Sequence, residues 1–171
     1  MENKKSLPLV LVLGLPIILI VSTFMARLHI EIGSSPLYIS TFLYPLTYLL
    51  ICLIIKKTNS KNAFNIMSVA LISQSLAFII EWIMLNKMDC YVMICTFLSF
   101  LFSQLILIYT YDFLRKTKKD GYFAILLLIG IVSAIDNAFF GACIEGQTIS
   151  LSILVRLVYV IIIPLVLAEK K

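Results

Sequence analysis

Charge is what this sequence has least of. Of its 171 residues, 13% are charged and 61% are hydrophobic, with a mean hydropathy of +1.06. Soluble domains run near half apolar and a quarter charged. Polar side chains are too few to cover a water-soluble globule, and the abundance of apolar residues excludes disorder. Histidine is almost absent. His29 stands alone, so no His-based zinc motif can be built. The four cysteines, Cys52, Cys90, Cys95 and Cys143, have no metal-finger spacing. There is no Gly-x-Ser-x-Gly elbow and no phosphate-binding loop. Tyr111-Asp112 has the first half of an intramembrane aspartyl-protease pattern, but the second acid, Asp136, lacks the glycine context. The chain therefore reads as a non-enzyme with no metal and no cofactor.

What is present is long apolar runs, unbroken and far longer than the alternating segments of a transmembrane barrel. A membrane-crossing helix needs about 20 mostly apolar residues. Read between polar clusters, the sequence gives six such spans: 7–28, 37–55, 63–85, 90–111, 121–143 and 149–168. The expected fold is all-α, a six-helix polytopic membrane protein forming one domain over residues 1–171, with no linker and no strong internal repeat. Lys4 and Lys5 before an apolar stretch look like a signal peptide. That stretch continues past Pro16 to Leu28 without a small-x-small cleavage site, so it reads as a retained, kinked helix.

Basic residues set the orientation. Lys4 and Lys5, then Lys56, Lys57 and Lys61, then Arg115, Lys116, Lys118 and Lys119, and finally Lys170 and Lys171 all fall on one side of a six-span chain. They are eleven of the fourteen basic residues. The other side has Arg27 and Lys87 with Glu31, Asp89 and Glu145. The positive-inside rule then makes both termini cytoplasmic. The net charge of +5 belongs to these loops and does not form a nucleic-acid-binding face. Cys90 and Cys143 fall near the outer side, where they either pack as small residues or form a disulfide.

Ionisable groups within a membrane are costly and are functional or paired. Asp136 in span five and Arg156 in span six each lie seven residues from the outer end of their span, about 10 Å deep at 1.5 Å per residue. An acid and a base at one level on adjacent helices form either a neutral pair that holds the helices together or part of a polar cavity. Glu81, beside Trp82, is either an interfacial acid or a functional one, and it shares a helix face with Gln74. Ser133, Asp136 and Asn137 share a face in span five, as Ser99, Ser103 and Gln104 do in span four. Such a lining suits a polar, weakly charged solute. Tyr44, Tyr48, Phe139 and Phe140 either stack on a planar ring or simply pack.

Four segments in order resemble the queuosine precursor transporter (VUT) family, six-helix bacterial inner-membrane proteins that import 7-deazaguanine bases such as preQ0 and preQ1. Phe42-Leu43-Tyr44-Pro45-Leu46-Thr47-Tyr48-Leu49 is similar to the family's aromatic-Pro-Leu-Thr/Ser-Tyr segment. Ser103-Gln104-Leu105 with Tyr111 and Leu114-Arg115-Lys116 is similar to its glutamine-bearing helix and basic loop. Ile135-Asp136-Asn137-Ala138-Phe139-Phe140 is similar to its Asp-Thr-x-x-Phe segment. Arg156 with Pro164-Leu165 is similar to its final Lys and Pro. The resemblance covers roughly residues 38–167. Cys52, Lys56 and Leu107 stand where the family has acids, Arg156 stands for its lysine, and the Arg and Ser-Thr that open its fifth span are missing.

The resemblance implies an importer of a purine-like solute, multi-pass in a bacterial inner membrane among lipid, with no nucleic-acid partner. Self-association is compatible with it. Asp136 would accept the ring N–H and the exocyclic amine of the base in bidentate fashion, with Asn137 and Gln104 on its edges. Arg156 would orient or neutralise the acid, Tyr44 and Tyr48 would stack or gate, and Glu81 would couple protons. Two other readings stand beside it. One is the substrate-binding subunit of an energy-coupling-factor transporter, which needs a docking face of small residues on span one. The other is a non-transporting scaffold whose polar residues are helix-packing glue.

Overall fold

The computed structural model describes residues 8–25, 28–32, 35–85, 90–143 and 149–168. Helices dominate: α1 (Leu9–Met25), α2 (Ser40–Leu43), α3 (Leu46–Lys57), α4 (Ser60–Leu85), α5 (Cys90–Lys116), α6 (Tyr122–Cys143) and α7 (Ile149–Leu167), with strands β1 (His29–Ile32) and β2 (Ser35–Tyr38) between α1 and α2. Helices α2 and α3 form one span of 18 residues, Ser40–Lys57. That span, α4, α5 and α6 are long and apolar enough to cross a membrane, and α1 and α7 are shorter apolar helices. The protein is an all-α polytopic membrane protein.

Its surface is apolar, unlike that of a soluble fold, and polar groups are buried within. Val10, Ile83 and Phe123 are 78%, 73% and 82% exposed, while Asp136 is 0% exposed. In water, apolar surface on this scale would drive aggregation. In a bilayer, lipid tails cover it. The apolar core lies around α3, where Ile51, Ile54 and Ile55 pack with Leu15, Phe100 and Leu107. Helix α1 packs against α4, α5 against α6, and α6 against α7, while α3 touches α1, α4, α5 and α7.

Two features depart from the expected spans. Span two does not begin at Leu37. Residues 29–32 and 35–38 pair as antiparallel strands with Ile30 opposite Leu37 and Glu31 opposite Pro36, and the backbone N–H of Ile39 donates to Leu28 at 2.9 Å. The segment is too short for a helix, and pairing two short strands satisfies a backbone that would otherwise reach the membrane face unpaired. The second departure is a break in span two at Tyr44-Pro45. Pro45 has no N–H to donate. The N–H groups of Thr47 and Tyr48 bond back only three residues, to Tyr44 at 3.0 Å and to Pro45 at 3.1 Å. Span four also runs further than expected, to Lys116. By contrast α1 runs through Pro16 as one helix.

One end of the bundle carries the described basic clusters. Arg115 donates to the Ile55 carbonyl, and Lys56 donates to the Leu167 carbonyl at 3.0 Å. These bonds bring the C-terminal ends of α3, α5 and α7 to one level, as an up-and-down six-span order requires, and they serve carbonyls that a helix end leaves unpaired. Asp112 pairs with Lys116 at 2.7 Å at the same end. The N-terminal half of α5 holds Cys95, which is disulfide-bonded. Cys52 is free and buried. The side chains of Cys90 and Cys143 lie outside the described residues, as do Lys4, Lys5, Arg27, Lys87, Asp89, Glu145, Lys170 and Lys171.

Candidate functional site

Asp136 is the hub of a buried polar cluster drawn from four helices. Its Oδ2 accepts from the Tyr48 hydroxyl at 2.9 Å and from the Arg156 guanidinium, with which it forms an ion pair. Its Oδ1 accepts from the Ser99 hydroxyl. Tyr48 lies in the first turn of α3, Ser99 in the middle of α5, Asp136 on α6 and Arg156 on α7. Tyr48, Ser99, Asp136 and Arg156 are all buried. The levels counted along the spans explain why they meet. Ser99 is nine residues into α5, about 13 Å, close to the depth counted for Asp136 and Arg156.

A second polar layer lies one residue back on α3 and five further on α5. Gln104 donates through Nε2 to Thr47 Oγ1 at 3.0 Å, and Thr47 in turn donates to the Tyr44 carbonyl at 2.7 Å. That carbonyl also accepts the Thr47 N–H, so both groups of Thr47 tie the turn at Pro45. The Tyr44 ring packs edge-on against Tyr48, with centroids 6.4 Å apart, and against Phe100 at 5.8 Å. Among the described residues its buried hydroxyl has no hydrogen-bond partner, and neither has Gln104 Oε1.

The expected site residues thus divide. Asp136, Arg156 and Tyr48 come together directly, and Tyr44 and Gln104 line the adjoining layer. Asn137 does not join them. It faces a crevice between α6 and α7, together with Ser133 and one side of Arg156. Glu81 is buried near the C-terminal end of α4, a helix that packs on α1, α3 and α5, and it is apart from the described donors to Asp136, which are Tyr48, Ser99 and Arg156. Phe139 stacks on Phe102 at 5.5 Å with planes 12° apart, so its described ring contact is with a neighbour. The Phe140 side chain lies outside the described residues.

Two contributors were not foreseen in these roles. Ser99 was legible as part of a polar face but not as a donor to Asp136, although its depth could have singled it out. Thr47 carried no signal beyond its place as the Thr/Ser of the segment that resembles the family's aromatic-Pro-Leu-Thr/Ser-Tyr pattern. Replacing Ser99 by alanine is expected to destabilise the fold by about 1 kcal/mol, since hydrogen bonds inside bilayers average about 0.6 and reach about 1.7. Unfolding of the purified protein by titration of SDS into mild detergent measures it.

Comparison of the chain with protein-family models, with curated proteins and with solved structures returns no match. The chemistry of the cluster must therefore carry the functional argument. No group of three or more metal-ligating side chains occurs among the described residues. The arrangement presents a carboxylate held by one guanidinium and two hydroxyls, with unpaired hydrogen-bonding atoms in the next layer.

Proposed function

We propose that this protein is a bacterial inner-membrane importer of a queuosine precursor, a 7-deazaguanine base of the preQ0 or preQ1 type, with both termini cytoplasmic. The observation that carries the reading is a pair of buried atoms beside the Asp136 cluster, Tyr44 Oη and Gln104 Oε1, that have no hydrogen-bond partner among the described residues. Polar groups in an apolar interior are normally satisfied, because leaving them bare is costly. Helix-packing glue would satisfy them. A site that takes up a hydrogen-bonding solute by shifting its side chains holds such atoms in reserve.

The hub suits such a solute. Two of the three side chains that donate to Asp136 are hydroxyls, which can rotate away and be replaced by the ring N–H and exocyclic amine of the base. Arg156 stays as the counter-ion. The turn at Tyr44-Pro45 supports the reading further by setting the Tyr44 ring against Tyr48, which donates to Asp136. The three positions that lack the family's acids are absorbed into the fold. Cys52 and Leu107 are packed in the apolar core, and Lys56 bonds the end of α7.

The energy-coupling-factor reading needs small residues facing outward on the first helix. Here the exposed face of α1 is bulky, with Leu9, Val10, Leu13, Ile17 and Phe24, while Gly14 faces Leu50. The test is uptake in a bacterium that cannot make preQ0 and lacks its own importer. Queuosine in tRNA at limiting external preQ0 or preQ1 is expected to return on expression of this chain. Inserted protein without restored queuosine would reject both bases as substrates.

A further inference from the structure

The turn after α5 runs against its own sequence preference. The N–H of Lys118 donates to the Arg115 carbonyl at 3.0 Å, and that of Lys119 donates to the Leu114 carbonyl at 2.9 Å. These two bonds make a Schellman cap with Lys118 at its left-handed position, φ 55°. Glycine is the usual residue there, because a Cβ is strained at positive φ. The next position often carries an apolar side chain that packs back on the helix. Lysine stands at both, and both are exposed. Local structure therefore does not account for the pair. Asp112 pairs with Lys116 at 2.7 Å, whereas Lys118 and Lys119 have no ion-pair partner among the described residues. Arg115, Lys116, Lys118 and Lys119 outnumber the local acids Asp112 and Asp120, so this end of α5 stays positive.

The lipid-facing side of the same helix is aromatic. Phe102, Tyr109 and Phe113 are 43%, 64% and 61% exposed. Their spacings of seven and four place them on one face, which Lys116 continues. Phe102 stacks on Phe139, so the stripe runs beside α6. From Phe102 to Lys116 is about 21 Å along the helix, enough to cover the hydrocarbon of one leaflet, about 15 Å. A free anion would use the lysines and leave the rings. A zwitterionic lipid would use the rings and bring a second cation to the lysines. An amphiphile with an anionic head uses both. We infer that the end of α5 is a binding site for an anionic phospholipid of the adjoining leaflet, its phosphate held by Lys118 and Lys119 and an acyl chain lying along Tyr109 and Phe113. The inference is independent of the solute that the protein carries.

The test is native mass spectrometry of the full chain in mild detergent, with dioleoyl phosphatidylglycerol and dioleoyl phosphatidylcholine supplied in equal amounts. Phosphatidylglycerol is expected to be retained preferentially. Lys118→Ala/Lys119→Ala should weaken that preference by about thirtyfold, equivalent to about 2 kcal/mol at about 1 kcal/mol per lysine. Tyr109→Ala/Phe113→Ala should lower retention of the lipid, and Lys57→Ala/Lys61→Ala, at the α3–α4 connection, should leave the preference unchanged. All these side chains are exposed, and elution as wild type on size exclusion shows that each variant is folded. Lys118→Gly separates the site from the fold. It removes the strained Cβ, so the thermal midpoint in phosphatidylcholine nanodiscs is expected to rise, while the preference for phosphatidylglycerol falls by about fivefold. Equal retention of the two lipids overturns the proposal. So does an equal loss in the Lys57/Lys61 variant, which marks a diffuse effect of charge. Displacement of phosphatidylglycerol by inorganic phosphate, with retention indifferent to Tyr109→Ala/Phe113→Ala, marks a free-anion site and overturns it too. A Lys118→Gly variant with a lower midpoint and an intact preference returns the lysine to the fold.

Discussion

Replacing Asp136 by alanine is expected to destabilise the fold by about 3–5 kcal/mol and to abolish uptake. The size follows from what is left behind. Arg156 is buried, its guanidinium does not shed its proton, and the Asp136 carboxylate is its ion-pair partner. Removing one partner of a buried ion pair strands the other, and that is where the 3–5 kcal/mol arises. The hydroxyls of Tyr48 and Ser99 lose their carboxylate acceptor at the same time. The double variant Asp136→Leu/Arg156→Leu removes both charges. Well-packed apolar pairs replace buried ion pairs at little or no net cost, so most of the stability is expected to return, and uptake is not. A double-mutant cycle by SDS titration should give a coupling of more than about 3 kcal/mol, since each single loss is large and the double loss small. Recovery of uptake in the double variant would reduce the pair to packing and remove Asp136 from the solute site.

The contrast between these two readouts follows from how the pair was legible in the first place. Asp136 and Arg156 could be placed at one depth from the sequence because a membrane supplies a ruler. Each apolar span has two ends, and residues counted from them give a level. The same ruler located the spans and the basic ends, where Arg115 and Lys56 now bond carbonyls of α3 and α7. It gives depth but not azimuth. Asn137 sits beside Asp136 in sequence, one residue or about 100° further round a helix of 3.6 residues per turn. It therefore faces the α6–α7 crevice while Asp136 faces inward. Ser99 and Thr47 stayed hidden for the same reason, since which helices are neighbours is decided by packing. The paired strands His29–Ile32 and Ser35–Tyr38 were missed because they are four residues each, too short for periodicity to separate from the end of an apolar span.

Tyr44→Phe should move stability and uptake in opposite directions, and it separates a solute site from a structural network more sharply than any change at the ion pair. The Tyr44 ring is held by its packing on Tyr48 and Phe100, and phenylalanine keeps that packing. Only the hydroxyl goes, and among the described residues that hydroxyl has no partner. An unsatisfied buried polar group costs about 1–3 kcal/mol, so deleting it is expected to stabilise the solute-free protein by about 1 kcal/mol. If the hydroxyl pairs with the base, its loss leaves a polar edge of the bound solute bare, and uptake at limiting preQ0 should fall by about tenfold, equivalent to about 1.4 kcal/mol. Asp136, Ser99 and Arg156 are untouched, so the buried charge stays neutralised and the loss cannot be laid to a damaged fold. SDS titration and the tRNA queuosine assay on the same preparation read both quantities. A more stable variant with full uptake would mean that the unpaired hydroxyl is tolerated rather than used, and would return Tyr44 to the core.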